Sequence, residues 1–127
     1  MKSLLSTLFV VLLLISPRAM AADYKNLNVE QFEKMRAAKT NVVLDVRTKK
    51  EYDAGRIPGA VLIDWNSPDF EKKVAALEKD KTYLVHCASG GRSARASAKL
   101  GALGFKNVHN LEGGFRAWEK AGNKPDK

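Results

Sequence analysis

Tyr83-Leu84-Val85-His86-Cys87-Ala88-Ser89-Gly90-Gly91-Arg92-Ser93 is the stretch on which the reading of this chain turns. Its first four residues have the composition of a short buried strand, and the small residues after Cys87 read as a loop. From about Arg92 to Leu103 the spacing is helical, with Gly104 placed to end the helix. A strand running through a glycine-containing loop into a helix is the repeating unit of an open parallel sheet, in which ligands bind at the carboxyl ends of strands. Cys87 stands at such an end.

The flanking sequence continues the alternation. Asn28 and Gln31 form a capping box, with Val29, Phe32, Met35 and Arg36 at helical spacing, predicting a helix over about Asn28 to Lys39. Val42-Val43-Leu44-Asp45-Val46 reads as a strand covered on both faces. Thr48 and Glu51 make a second capping box for a short helix from about Lys49 to Ala54, closed by Gly55. A turn at Pro58-Gly59 leads to a strand at Ala60 to Ile63, and Ser67-Pro68 has the form of an N-cap and first helical position for a helix through about Leu77. Asn107 to Leu111 is a further strand and Phe115 to Lys120 a last helix, with the tail from Gly122 to Lys127 loose. The expected fold is α/β, a central parallel sheet of four to five strands with helices on both faces.

At the N-terminus, Lys2 precedes an apolar run from Leu4 to Ile15 broken only by Ser6 and Thr7, and Ala19-Met20-Ala21 has the small-x-small form of a cleavage site. The run falls short of the roughly 20 residues that span a bilayer. Residues 1–21 therefore read as a signal peptide, and the mature chain from Ala22 or Asp23 as one exported domain over 22–127, with no membrane anchor after cleavage and a periplasmic destination. Of the formal charge of +8, setting Lys2 and Arg18 aside leaves 20 basic against 14 acidic residues. The basic residues occur in scattered pairs such as Lys49-Lys50 and Lys72-Lys73 without interleaved aromatics, which argues against a nucleic-acid footprint and leaves a mild preference for small anions.

Cys87 is the single cysteine, so no internal disulfide can form. It is either a small buried apolar residue or a reactive thiol. The loop favours the second reading, because Ala88, Ser89, Gly90 and Gly91 allow successive backbone N–H groups to turn toward the sulfur, while the helix after them directs the positive end of its dipole there. Arg92, with Arg95 and Lys99 one and two turns on, adds charge on one flank. These effects depress a thiol pKa without a general base, and His86, whose ring should point to the opposite face of the strand, is expected to be structural. Cysteine-dependent phosphatases place five residues between Cys and Arg to cradle a tetrahedral oxyanion. Here there are four, a ring sized for one extra sulfur atom.

The mature chain resembles the rhodanese-homology domain. The resemblance rests on the Cys87 to Ser93 loop, on Leu44-Asp45-Val46-Arg47, on Glu51-Tyr52 followed by Gly55-Arg56-Ile57-Pro58-Gly59-Ala60, and on Leu111-Glu112-Gly113-Gly114-Phe115 leading to Ala117-Trp118, in that family's order and spacing. Its length and signal peptide are similar to those of the periplasmic single-domain members. The resemblance implies a three-layer fold and a sulfurtransferase without metal or organic cofactor, in which the Cys87 thiolate takes sulfur from a small anionic donor such as thiosulfate and passes it to cyanide or a thiol. It also implies that the amides of Ala88, Ser89, Gly90, Gly91 and Arg92 and the Ser93 hydroxyl hold the persulfide, although Ser93 reads equally well as a helix-start hydroxyl. A monomer is expected.

Arg56 stands where the family usually has His, and a surface role is expected for it. Asp45 and Arg47 read better as a structural pair, with Arg47 also a candidate contact for an anionic donor. Phe115 and Trp118 read as core, Gly113-Gly114 as a tight turn, and Trp65 as a candidate pocket residue. A second function shares every motif: a sulfur carrier that hands its persulfide to one protein partner and turns thiosulfate over slowly.

Overall fold

The computed structural model describes residues 23–127, so the signal peptide expected over 1–21 lies outside the described residues. Ten elements follow one another: β1 (Lys25–Leu27), α1 (Val29–Arg36), β2 (Val42–Asp45), α2 (Lys49–Ala54), β3 (Val61–Leu62), α3 (Phe70–Ala75), β4 (Thr82–His86), α4 (Gly91–Ala102), β5 (Asn107–Leu111) and α5 (Gly114–Lys120). The strands form one five-stranded parallel sheet in the order β1-β5-β4-β2-β3.

Two apolar layers sandwich the sheet. Because side chains alternate along a strand, Leu44, Tyr83 and Val85 turn to one face and pack with Phe70 and Val74 of α3 and Ala96 and Leu100 of α4. Val43, Leu84 and Leu111 turn to the other and pack with Phe32 of α1 and Phe115 and Trp118 of α5. Burial on both faces explains why β2 and β4 carry continuous apolar runs. Both capping boxes form as the spacing predicted: Asn28 with Gln31 at α1, and Thr48 with Glu51 at α2.

The sheet has the upper of the two expected strand numbers, and two other expectations, the start of α3 and the tail, need correction. β1 is an additional strand at the sheet edge; only Leu27 of its three residues is buried, so it carries no readable periodicity and exists through its pairing with β5. α3 starts at Phe70 rather than Pro68, because the Ser67 hydroxyl accepts from the Asp69 amide and the Ser67 carbonyl from the Phe70 amide, closing a turn ahead of the helix. The tail is not loose. Asp126 and Arg56 exchange two backbone hydrogen bonds of 2.9 Å as an antiparallel bridge, and the Asn123 amide nitrogen donates to the Trp118 carbonyl.

Candidate active site

The carboxyl ends of β2 and β4 are tied by the Val46 amide donating to the His86 carbonyl, which sets the point from which the Cys87 loop departs. Cys87 is buried, with 1% of its surface exposed. Gly90 takes φ +110°, a left-handed conformation that L side chains rarely adopt, and this turn aims its amide at the Cys87 Sγ, 3.1 Å away. The Ser93 hydroxyl lies 3.3 Å from the same sulfur and 3.2 Å from the Gly90 carbonyl. With one hydrogen to donate, it turns to whichever acceptor is the stronger, and a thiolate draws it to sulfur.

Burial alone would push the Cys87 thiol up. The Ser93 hydroxyl and the amides of Ser93, Gly90 and Ser89 outweigh that and hold it below its ordinary value. They lie in the loop before α4 and in its first turn, and the dipole of this 12-residue helix acts in the same sense. The arrangement favours the thiolate form through fixed dipoles rather than through a base.

The floor of the loop is α5. The Phe115 amide donates to the Cys87 carbonyl at 2.8 Å and the Arg116 amide to the Ala88 carbonyl at 3.1 Å. This approach requires glycine at 114: its φ is +61°, and a Cβ there would lie 2.6 Å from the Cys87 carbonyl oxygen and 2.7 Å from the Ala88 carbonyl. Gly114 thus has a specific role in seating the sulfur loop, beyond the tight turn its sequence suggests.

Arg92 reaches back 41 positions along the chain to Glu51, with Nη1 2.7 Å from Oε1 and Nη2 2.9 Å from Oε2. The Thr48 amide and hydroxyl also donate to Glu51, so the capping carboxylate of α2 is the same group that holds the sulfur loop's arginine. Hydrogen bonding from Arg92, against some burial cost, lowers the Glu51 carboxyl to about 2. Arg92 is raised in turn, by Glu51 first and with a contribution from Cys87. Lys99, expected to add charge beside the sulfur, is paired with Glu71 instead; Arg95 is exposed.

Beneath the loop lies a second buried cluster. Arg47, 3% exposed, donates through Nε and Nη2 to both oxygens of Asp45 and through Nη2 to the Gly55 carbonyl, and its guanidinium stands 4.3 Å over the Phe115 ring. These partners put Arg47 in the scaffold. His86, fully buried, has Nδ1 3.2 Å from the Cys87 carbonyl and Nε2 3.6 Å from Asp45 Oδ2, and its ring stacks on Phe115. Burial, opposed by the Asp45 charge, lowers its pKa, and its contacts with the Cys87 carbonyl, Asp45 and Phe115 make the ring a brace.

The structure therefore brings Ser89, Gly90 and Ser93 to the sulfur, turns Arg92 to Glu51, and makes Ala88 and Gly91 the backbone links between them. Arg56 lies outside this set: its backbone pairs with the tail, and its guanidinium covers the Tyr52 ring at 4.9 Å. Trp65 packs edge-on against Phe70 and lines a hollow with Ser67, Pro68, Glu71 and Lys99.

Residues 28–121 match the family described as the rhodanese-like domain. Over 87 residues the chain is 42% identical to a putative sulfurtransferase, YtwF, of Bacillus subtilis, covering 68% of this chain and 82% of that one. Over 100 residues it is 31% identical to the thiosulfate sulfurtransferase GlpE of Shewanella oneidensis, covering 79% and 97%. Among solved structures, a rhodanese-related protein of Thermoplasma volcanium superposes with a TM-score of 0.72 at 34% identity, over 81% of this chain and 98% of that one.

Proposed function

The chain belongs to the rhodanese-like domain family, with relatives named as sulfurtransferases, and from that premise we propose that it moves sulfane sulfur through a persulfide on Cys87, in the manner of a thiosulfate:cyanide or thiosulfate:thiol sulfurtransferase. The observation that carries the reading is the convergence of the Gly90 amide and the Ser93 hydroxyl on the Cys87 sulfur at the foot of α4.

In the first step the Cys87 thiolate attacks the outer sulfur of thiosulfate. The S–S bond of the donor breaks, sulfite leaves with the bonding pair, and Cys87 carries a terminal anionic sulfur. That sulfur extends into the ring formed by Ala88 to Arg92, where the loop amides stabilise it as an oxyanion hole stabilises oxygen. In the second step cyanide or a thiolate attacks the terminal sulfur, thiocyanate or a new persulfide leaves, and the Cys87 thiolate is restored. No metal or organic cofactor enters either step. The proposal includes export of the mature chain, from about Ala22, to a periplasm, where it works as a monomer on small anionic sulfur donors and thiol or cyanide acceptors.

The test is thiocyanate formation from thiosulfate and cyanide by the mature protein, with Cys87→Ser alongside. Turnover that saturates with thiosulfate and vanishes in Cys87→Ser supports the reading; equal rates in both refute it. The sulfur-carrier alternative is favoured by one observation, the commitment of Arg92 to Glu51 in a loop otherwise free of charge. It predicts a stable Cys87 persulfide that leaves slowly to small acceptors.

A further inference from the structure

On the segments that build the sulfur site, Arg92 is matched by Glu51, Arg47 by Asp45, Lys99 by Glu71 and Lys49 by Asp53. Arg95 and Arg116 are exposed, and among the described residues neither has a carboxylate partner. Their charges stand in water, where salt screens them. Arg92 differs: it lies in the first turn of α4 beside Ser93, whose hydroxyl is 3.3 Å from the Cys87 sulfur, and Cys87 contributes to raising its pKa. It is the cation placed to offset negative charge at the sulfur, and Glu51 holds it through two short hydrogen bonds.

Resting on the sulfurtransferase reading above, we propose that Glu51 determines donor specificity: by cancelling the charge of Arg92 at the rim of the site, it selects alkyl persulfides over the thiosulfate dianion as the source of sulfur.

The charge count of each reaction gives the reason. With thiosulfate, a thiolate meets a dianion, and three negative charges share the transition state until sulfite departs with two of them. With an alkyl persulfide anion the total is two: the Cys87 thiolate attacks the outer sulfur, the donor's S–S bond breaks, and an alkyl thiolate leaves. A protonated persulfide carries the total down to one, its proton staying on the transferred sulfur. Loop amides are partial dipoles that can serve one developing anion; a third charge at a buried sulfur calls for a full positive charge nearby. Arg92 would supply it if free. Glu51 is anchored by Thr48 in the first turn of α2 and stays ionised throughout the range in which a persulfide enzyme works, so the cancellation is permanent.

The experiment measures second-order rate constants for loading Cys87, by quenched-flow mass spectrometry, with thiosulfate and with glutathione persulfide. Salt at about 0.5 M suppresses the contributions of Arg95 and Arg116. The wild type is expected to load from glutathione persulfide at least about tenfold faster than from thiosulfate. Glu51→Gln, which frees Arg92, should narrow that ratio about fivefold or more by raising the thiosulfate rate. Arg92→Gln, which leaves Glu51 uncompensated, should widen it. A folded Glu51→Gln protein that loads from glutathione persulfide with an unchanged donor ratio overturns the proposal. So does an Arg92→Gln ratio that stays constant or narrows, which keeps the test intact if Glu51→Gln does not fold. Loading from neither donor would instead reject the sulfurtransferase reading beneath it.

Discussion

Replacing Gly114 with alanine should damage the sulfur site from behind, without touching any group that contacts the sulfur. A Cβ at this position would sit 2.6 Å from the Cys87 carbonyl oxygen, where an ordinary contact begins at 3.4 Å, so α5 and the loop must part by roughly 0.8 Å. Neither partner is a flexible side chain that can give way. The left-handed φ of +61° costs an alanine about 1–2 kcal/mol by itself. Separation also weakens the two hydrogen bonds from the Phe115 and Arg116 amides, worth about 1 kcal/mol each. The sum is about 3–4 kcal/mol, or on the order of 15–20 °C in Tm for a domain of this size. Because the first loop peptides are displaced, persulfide formation measured well below that Tm should fall at least about tenfold. Gly59→Ala is the control: φ there is +80°, but a Cβ would meet nothing within 4 Å, so it should show the backbone cost alone and a wild-type loading rate. If Gly114→Ala matches Gly59→Ala in both Tm and rate, the argument that α5 seats the loop is wrong.

The remaining expectations concern single contacts. Since hydrogen bonds hold the Cys87 thiol below its ordinary value, the loading rate should rise with pH and level off early; Ser93→Ala should move that midpoint upward, and an unmoved midpoint would mean that the hydroxyl does not serve the thiolate. The Glu51 carboxyl titrates at about 2 in the folded chain against 4.5 ordinarily, so the stability it contributes is complete above about pH 4.5 and is lost as pH falls toward 2. A Tm series across that window should be flatter for Glu51→Gln than for wild type, by a modest amount because the pair is partly exposed. Truncation after Gly122 removes the Asn123 bond and both backbone bonds to Arg56, and should cost about 1–3 kcal/mol in denaturant unfolding; no change would mean that the tail bridge contributes nothing in solution.

What could be read from the sequence follows from how local each cause is. The capping boxes at Asn28 and Thr48 depend on residues three apart, and both formed with the predicted partners. The continuous apolar runs of β2 and β4 announce a sheet covered on both sides. By contrast, β1 is three residues long and defined by its pairing with β5, and the tail is ordered by a partner 70 positions away, at Arg56. The Cys87 loop was legible as a nest because its small residues and the following helix are contiguous. Its two long-range supports were not. Glu51 reads in the sequence as a helix cap and Arg92 as a loop cation, and only the fold joins them. Gly114 gives one signal, a second glycine immediately before a helix, but the close approach it permits depends on where α5 lands.

Transfer of sulfur through Cys87 is tested by the intact mass of the mature protein before and after thiosulfate or glutathione persulfide, then after cyanide. A gain of about 32 Da is expected that requires Cys87, is absent in Cys87→Ser, and is removed by cyanide with release of thiocyanate. An unchanged mass with both donors would contradict it, and would leave this fold and its polarised thiol to be explained by binding alone.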